Sequence, residues 1–188
     1  MTDREAHGTI MEESKANPLD DPFYDRLRIF LEATNAETAR GRALVTASVI
    51  EEMLESVLRS FLLEDSATKK LFDDPNAPLS TFSAKASASR ALGLITSEEF
   101  SDIDLVRKIR NAFAHNILCS FADPKVGTWA RQLRTGMSAV DALHNGDSSR
   151  VDNPEQRFSM VAASLVTALY NRAHYAEKSR LQDRSWPS

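Results

Sequence analysis

With one cysteine, six glycines and seven prolines in 188 residues, this chain has few residues that interrupt a helix. A single thiol, Cys119, excludes an internal disulfide and fits a reducing compartment; it reads most simply as a small buried apolar group. A basic surplus is also missing: 23 Lys and Arg stand against 27 Asp and Glu, a net charge of −4. Dedicated nucleic-acid binders carry a basic excess or a basic face, so broad duplex binding is disfavoured, although a local patch is not. No apolar run nears the roughly 18 residues of a membrane span. The first residues lack the apolar core of a signal peptide, so the expected compartment is the cytoplasm. Zinc-ligand spacing, a phosphate-cradling glycine loop, Gly-x-Ser-x-Gly and a dinucleotide fingerprint are all absent. No metal and no cofactor is therefore implied, and His7, His115, His144 and His174 are scattered.

What is present is helical periodicity. Residues 1–19 are polar and aperiodic and read as a flexible tail. Asp21-Pro22 opens a first helix with a stripe of Phe23, Leu27, Phe30 and Leu31. Thr34-x-x-Glu37 has the form of a capping box and predicts a second helix over 36–63. Its stripe is Ala43, Leu44, Ala47, Ile50, Leu54, Val57, Leu58 and Phe61. A connector with one helical turn near 69–72 leads through Asp73-Asp74-Pro75-Asn76-Ala77-Pro78, strong turn chemistry, to a third helix over 81–92, ended by Gly93. Thr96-x-x-Glu99 is a second capping box and predicts a fourth helix to Leu118. Short helices follow from Asp123-Pro124 and over 137–143, then a polar loop over 145–154. A last helix runs from Asn153-Pro154 to about Gln182 and is lined by Phe158, Val161, Ala162, Leu165, Leu169 and Ala173. Sustained alternation of apolar and polar residues is nowhere seen. The expectation is an all-α, single-domain bundle of four to five main helices plus short ones over 20–183, with tails at 1–19 and 184–188.

The fourth helix carries the most distinctive chemistry. Ile103, Val106, Ile109, Phe113 and Ile117 make its core stripe, while Arg110-Asn111-Ala112-Phe113-Ala114-His115 sets a guanidinium and an imidazole on the same stretch. Arginine grips phosphate through a planar fork of donors; histidine is matched to proton transfer near neutrality. At about 100° per residue the two sit about 140° apart, with Asn111 between them. That set can support RNA transesterification: His115 moves the 2′-hydroxyl or leaving-group proton, Arg110 stabilises charge on the phosphorus oxygens, and Asn111 orients. It can equally be architecture, with Asn111 bonded to His115 and Arg110 paired with Glu51 or Glu52.

Three stretches taken together resemble the mannitol operon repressor family of bacteria, over roughly residues 22 to 135. They are Asn35-Ala36-Glu37-Thr38-Ala39-Arg40-Gly41-Arg42-Ala43-Leu44 running on to Ile50-Glu51-Glu52-Met53-Leu54, then Asn76-Ala77-Pro78-Leu79-Ser80-Thr81-Phe82-Ser83-Ala84-Lys85, and Arg107-Lys108-Ile109-Arg110-Asn111-Ala112-Phe113-Ala114-His115-Asn116. The resemblance implies an all-helical cytoplasmic transcriptional regulator. The Arg-Asn-x3-His element also resembles HEPN-superfamily helical domains, many of them metal-independent ribonucleases that act as dimers with these residues at the dimer cleft. Carried over, that implies a homodimer with Arg110, His115 and Asn111 as its catalytic set. Ala112 departs from the repressor family, where that position is often acidic.

Arg40, Arg42, Lys85, Arg90, Arg107, Lys108 and Arg110 come from three predicted helices and are the best candidates for one basic patch, with Arg40, Arg42, Lys85, Arg107 and Lys108 as its binding residues. No compact helix-turn-helix is visible. The two functional expectations are a repressor-like regulator working through a protein partner or nucleic acid, and a HEPN-type endoribonuclease acting on RNA.

Overall fold

The computed structural model describes residues 22–143 and 152–186, and every regular element among them is a helix: α1 (Pro22–Ala36), α2 (Ala39–Phe61), α3 (Ser66–Asp73), α4 (Phe82–Ala91), α5 (Ser97–His115), α6 (Pro124–Gln132), α7 (Met137–Leu143) and α8 (Pro154–Lys178). The architecture is all-α, as expected. The expected N-terminal tail, His7, His144 and most of the polar loop lie outside the described residues, as does the side chain of Phe23. Among the described residues no helix is long and apolar enough to cross a membrane.

α2 and α8 form the most extensive helix pair. Ala43, Ala47, Ile50, Leu54, Val57 and Leu58 share one buried core with Phe158, Val161, Leu165 and Leu169. The two helices run in the same direction. Arg42 meets Glu155 near both N-termini, while beyond both C-termini the Leu181 N–H donates to the Phe61 carbonyl. α5 runs opposite to both. Its first turn holds Glu99, which pairs with Arg172 near the end of α8, and its last residue adjoins Asn116, which receives Arg40 from the start of α2. Ile103, Val106, Ile109 and Phe113 drive α5 into the core. Phe113, Phe121 and Phe158 then meet in series as tilted rings, with centroids 5.1 and 5.2 Å apart, each contact adding about 1 kcal/mol beyond simple burial.

Local chemistry sets most of the helix starts. Thr96 and Glu99 exchange both bonds of a capping box, and Asn153 accepts from the Glu155 and Gln156 N–H groups. Thr34 departs from expectation. Its hydroxyl donates back to the Phe30 carbonyl, so α1 continues through Ala36, and Thr38 caps α2 by accepting from the Gly41 N–H. A threonine hydroxyl can serve a helix end or the carbonyl one turn earlier, and here Thr34 is buried within α1. The connector holds the two-turn helix α3, capped by Asp65, rather than a single turn.

The link from α6 to α7 is held by a carboxylate. Asp102 of α5 is buried, and its Oδ2 accepts from the Arg134 N–H, the Thr135 N–H and the Thr135 hydroxyl at 2.9, 2.6 and 2.7 Å. Gly136 follows with φ +78°, and a Cβ there would overlap the Ser164 side chain of α8. Gly93 also has a positive φ but open space around it. Gly136→Ala should therefore cost about 2–4 kcal/mol and Gly93→Ala about 1 kcal/mol, from strain alone. Urea unfolding of the two variants checks the difference.

Candidate functional site

The end of α5 is where the candidate residues gather. Asn116 leaves the helix in extended geometry (φ −126°, ψ 110°) while its N–H still donates to the Ala112 carbonyl. Its side-chain oxygen accepts from the Leu118 N–H at 3.0 Å, and its own carbonyl accepts from Arg40 Nη2 at 2.6 Å. Asparagine favours such local turns because its side chain mimics a backbone acceptor. The turn stops the helix at His115, short of the expected Leu118. Ile117, expected on the core stripe, is carried outward instead. Ile117 and Leu118 are each 85% exposed, side by side.

Arg110 and His115 are both exposed on the last turns, about 7.5 Å apart along the axis. Arg110 Nη1 donates to Asn111 Oδ1 at 3.0 Å, so the guanidinium takes a neutral neighbour and neither Glu51 nor Glu52. His115 makes no hydrogen bond or ion pair with any described residue. The solvent-facing imidazole and guanidinium therefore lie on the last turns of one helix, whose end meets Arg40 through Asn116 and leads into the two aliphatic side chains.

The other basic candidates are engaged elsewhere. Arg42 braces the N-terminal ends, donating to the Thr34 carbonyl at 2.9 Å and to Glu155 at 2.7 Å. Arg107 and Lys108 both hold Asp104, at 2.6 and 2.8 Å. Arg90 donates to the Ser97 hydroxyl and the Ile95 carbonyl. Lys85 is buried between α4 and α2, with its ammonium 3.2 Å from Glu51 and 2.9 Å from Glu55. Glu55 also holds Arg59, which lies over the Phe72 ring and reaches Asp73. Thus Arg42, Lys85, Arg107 and Lys108 are tied to carboxylates, and Arg40 and Arg110 have none among the described residues.

The titrations follow. Burial works against the Glu55 charge, but bonds from Lys85 and Arg59 overcome it and hold that carboxyl below its usual value. Burial likewise opposes the Lys85 ammonium, and Glu55 and Glu51 outweigh it, so its pKa rises. Asp104 is held low against burial by Lys108 and Arg107. Burial, followed by Asp123, pushes the Cys119 thiol up, away from nucleophilic character. Among the described residues no group of three or more His, Cys, Asp and Glu is placed to hold a metal.

Sequence reasoning missed the exposed Ile117–Leu118 step, whose signal was Asn116, and the Arg40 contact, which had none. The fold is similar to that of a chain in the X-ray structure of the MtlR–HPr complex from Escherichia coli. The TM-score is 0.59 at 17% identity, covering 76% of this chain and 97% of that one. No family model matches the sequence, and no curated protein matches it.

Two outcomes are expected. Lys85→Ala strands two acids beside the core and should cost about 1–3 kcal/mol, whereas His115→Ala and Arg110→Ala should stay within about 0.5 kcal/mol of wild type in urea unfolding. Glu55 ionises more readily folded than unfolded, so its contribution is present above the ordinary Glu value of about 4.3 and lost as pH falls through the lower folded value. Thermal melts should therefore drop below about pH 4, and less steeply for Glu55→Gln.

Proposed function

We propose that this chain is a repressor-like regulatory protein that acts by docking another protein at the end of α5. The observation that carries this is the pair of adjacent aliphatic side chains, Ile117 and Leu118, standing out of the surface directly after Asn116, whose carbonyl holds Arg40; Arg40, and Arg110 on the preceding turns of α5, have no carboxylate partner among the described residues. Exposed apolar side chains rimmed by polar groups mark interaction sites, and Arg is enriched among residues that dominate binding energy. Burying the two side chains supplies about 3–6 kcal/mol before the cost of association. Arg40 and Arg110 select a partner with carboxylates around an apolar pocket.

The regulatory part of the reading draws on the three sequence stretches and on the fold likeness. The neighbour is MtlR in complex with HPr; for this chain we propose a protein partner of the same kind. Direct DNA recognition is the weaker variant, because four of the seven basic candidates neutralise acids of the same chain. The HEPN-type ribonuclease is favoured by one observation, the open Arg110 and His115 side chains, and it calls for a homodimer in which two α5 ends converge.

Titration calorimetry with purified HPr is the test. Ile117→Asp should weaken binding at least about tenfold, or 1.4 kcal/mol, with the melting temperature unchanged. Absence of binding by the wild type removes the HPr-type partner. Cleavage of RNA that persists in chelator and disappears in His115→Ala would replace docking with the nuclease.

A further inference from the structure

The link from α5 to α6 is fixed by two consecutive turns. The Cys119 N–H donates to the Asn116 carbonyl at 3.1 Å and closes the first. In the second, the Asp123 N–H donates to the Ser120 carbonyl at 3.2 Å, and Asp123 Oδ2 accepts from the Ser120 N–H at 2.9 Å. The first turn is anchored on both sides. Phe113 before it and Phe121 after it are buried, with their rings 5.1 Å apart.

Ile117 and Leu118 are the two central residues of that first turn, positions that turn geometry favours filling with Gly, Pro, Asn or Asp. No other large apolar side chain among the described residues is as exposed. At the tip they serve neither the turn nor the core. Three hydrogen bonds converge on Asn116 to hold them outward. Its Oδ1 accepts from the Leu118 N–H at 3.0 Å, and its carbonyl accepts from the Cys119 N–H and from Arg40 Nη2. Ile117 otherwise continues the spacing of Ile109 and Phe113, so the sequence beyond His115 would let α5 run on.

We infer that Asn116 is the positioning residue of the docking step: without touching the partner, its side-chain oxygen fixes Ile117 and Leu118 outward before the partner arrives. Association then does not have to order them, and a surface held in its bound conformation binds more tightly for the same contacts. The inference rests on the docking reading above and names the residue through which that site is set.

Two variants that differ by one oxygen test it. Asn116→Ala removes the side-chain acceptor and introduces the strongest helix former; Asn116→Ser restores a weaker, uncharged acceptor for the same N–H. In the free full chain, exchange of the Leu118 amide proton, followed by NMR, should quicken at least about tenfold in Asn116→Ala. Affinity for purified HPr should fall about tenfold in that variant, with Ile117 and Leu118 intact. Asn116→Ser should recover at least about threefold in both readouts. Both variants should melt close to the wild type, because Asn116 is exposed and the Phe113–Phe121 contact is untouched. Wild-type affinity in Asn116→Ala, equal losses in the Ala and Ser variants, or weakened binding with unchanged Leu118 exchange would overturn the positioning role while leaving docking in place. Absence of HPr binding by the wild type overturns the docking reading, and this role falls with it.

Discussion

The parallel packing of α2 on α8 is the constraint on which the rest is mounted. Each helix carries a long apolar stripe that it cannot bury alone, and each finds most of its cover in the other, with α5 and α4 adding to the cover of α2 and α6 to that of α8. Because the two run the same way, their N-termini share one end of the molecule and their C-termini the other. α5, running opposite, brings its C-terminus to the N-terminal end. That end gains Arg42–Glu155, Arg40 on Asn116 and the outward turn to Ile117 and Leu118. The other end gains Arg172–Glu99 and the Leu181–Phe61 backbone bond. The two ends therefore differ in chemistry through helix direction alone.

The partly buried charges between α2, α3 and α4 are paired within the chain. Lys85, Arg59, Glu51, Glu55 and Asp73 form a continuous series that ties α2 to α3 and α4. A buried ammonium is tolerated only because two carboxylates face it, and removing either partner leaves an uncompensated charge. Asp102 plays a comparable part for the link between α6 and α7, where one oxygen gathers three donors. This internal pairing leaves Arg40 and Arg110 without a carboxylate partner among the described residues, while Arg42, Lys85, Arg107 and Lys108 are taken up within the chain.

The helices were legible because their signals are local. Thr96 with Glu99, and Asn153 ahead of Pro154, each name a helix start within four residues, and both are made as read. Thr34 with Glu37 has the same spelling but another outcome, because a buried hydroxyl inside α1 finds a carbonyl one turn back. Ile117 fits the α5 stripe by spacing, yet Asn116 offers its side chain to the Leu118 N–H and Arg40 takes its carbonyl. The first of these competitors is readable nearby; the second arrives from 76 residues away.

By itself the sequence determined the all-helical class, the core stripes and the placing of Arg110, Asn111 and His115 on one helix end, since periodicity and capping act within a turn or two. Tertiary structure alone decided that Lys85 and Arg42 are struts and that Ile117 faces water. Those outcomes depend on which distant acid, carbonyl or helix end meets each side chain, and that pairing follows from the direction in which α2, α5 and α8 pack.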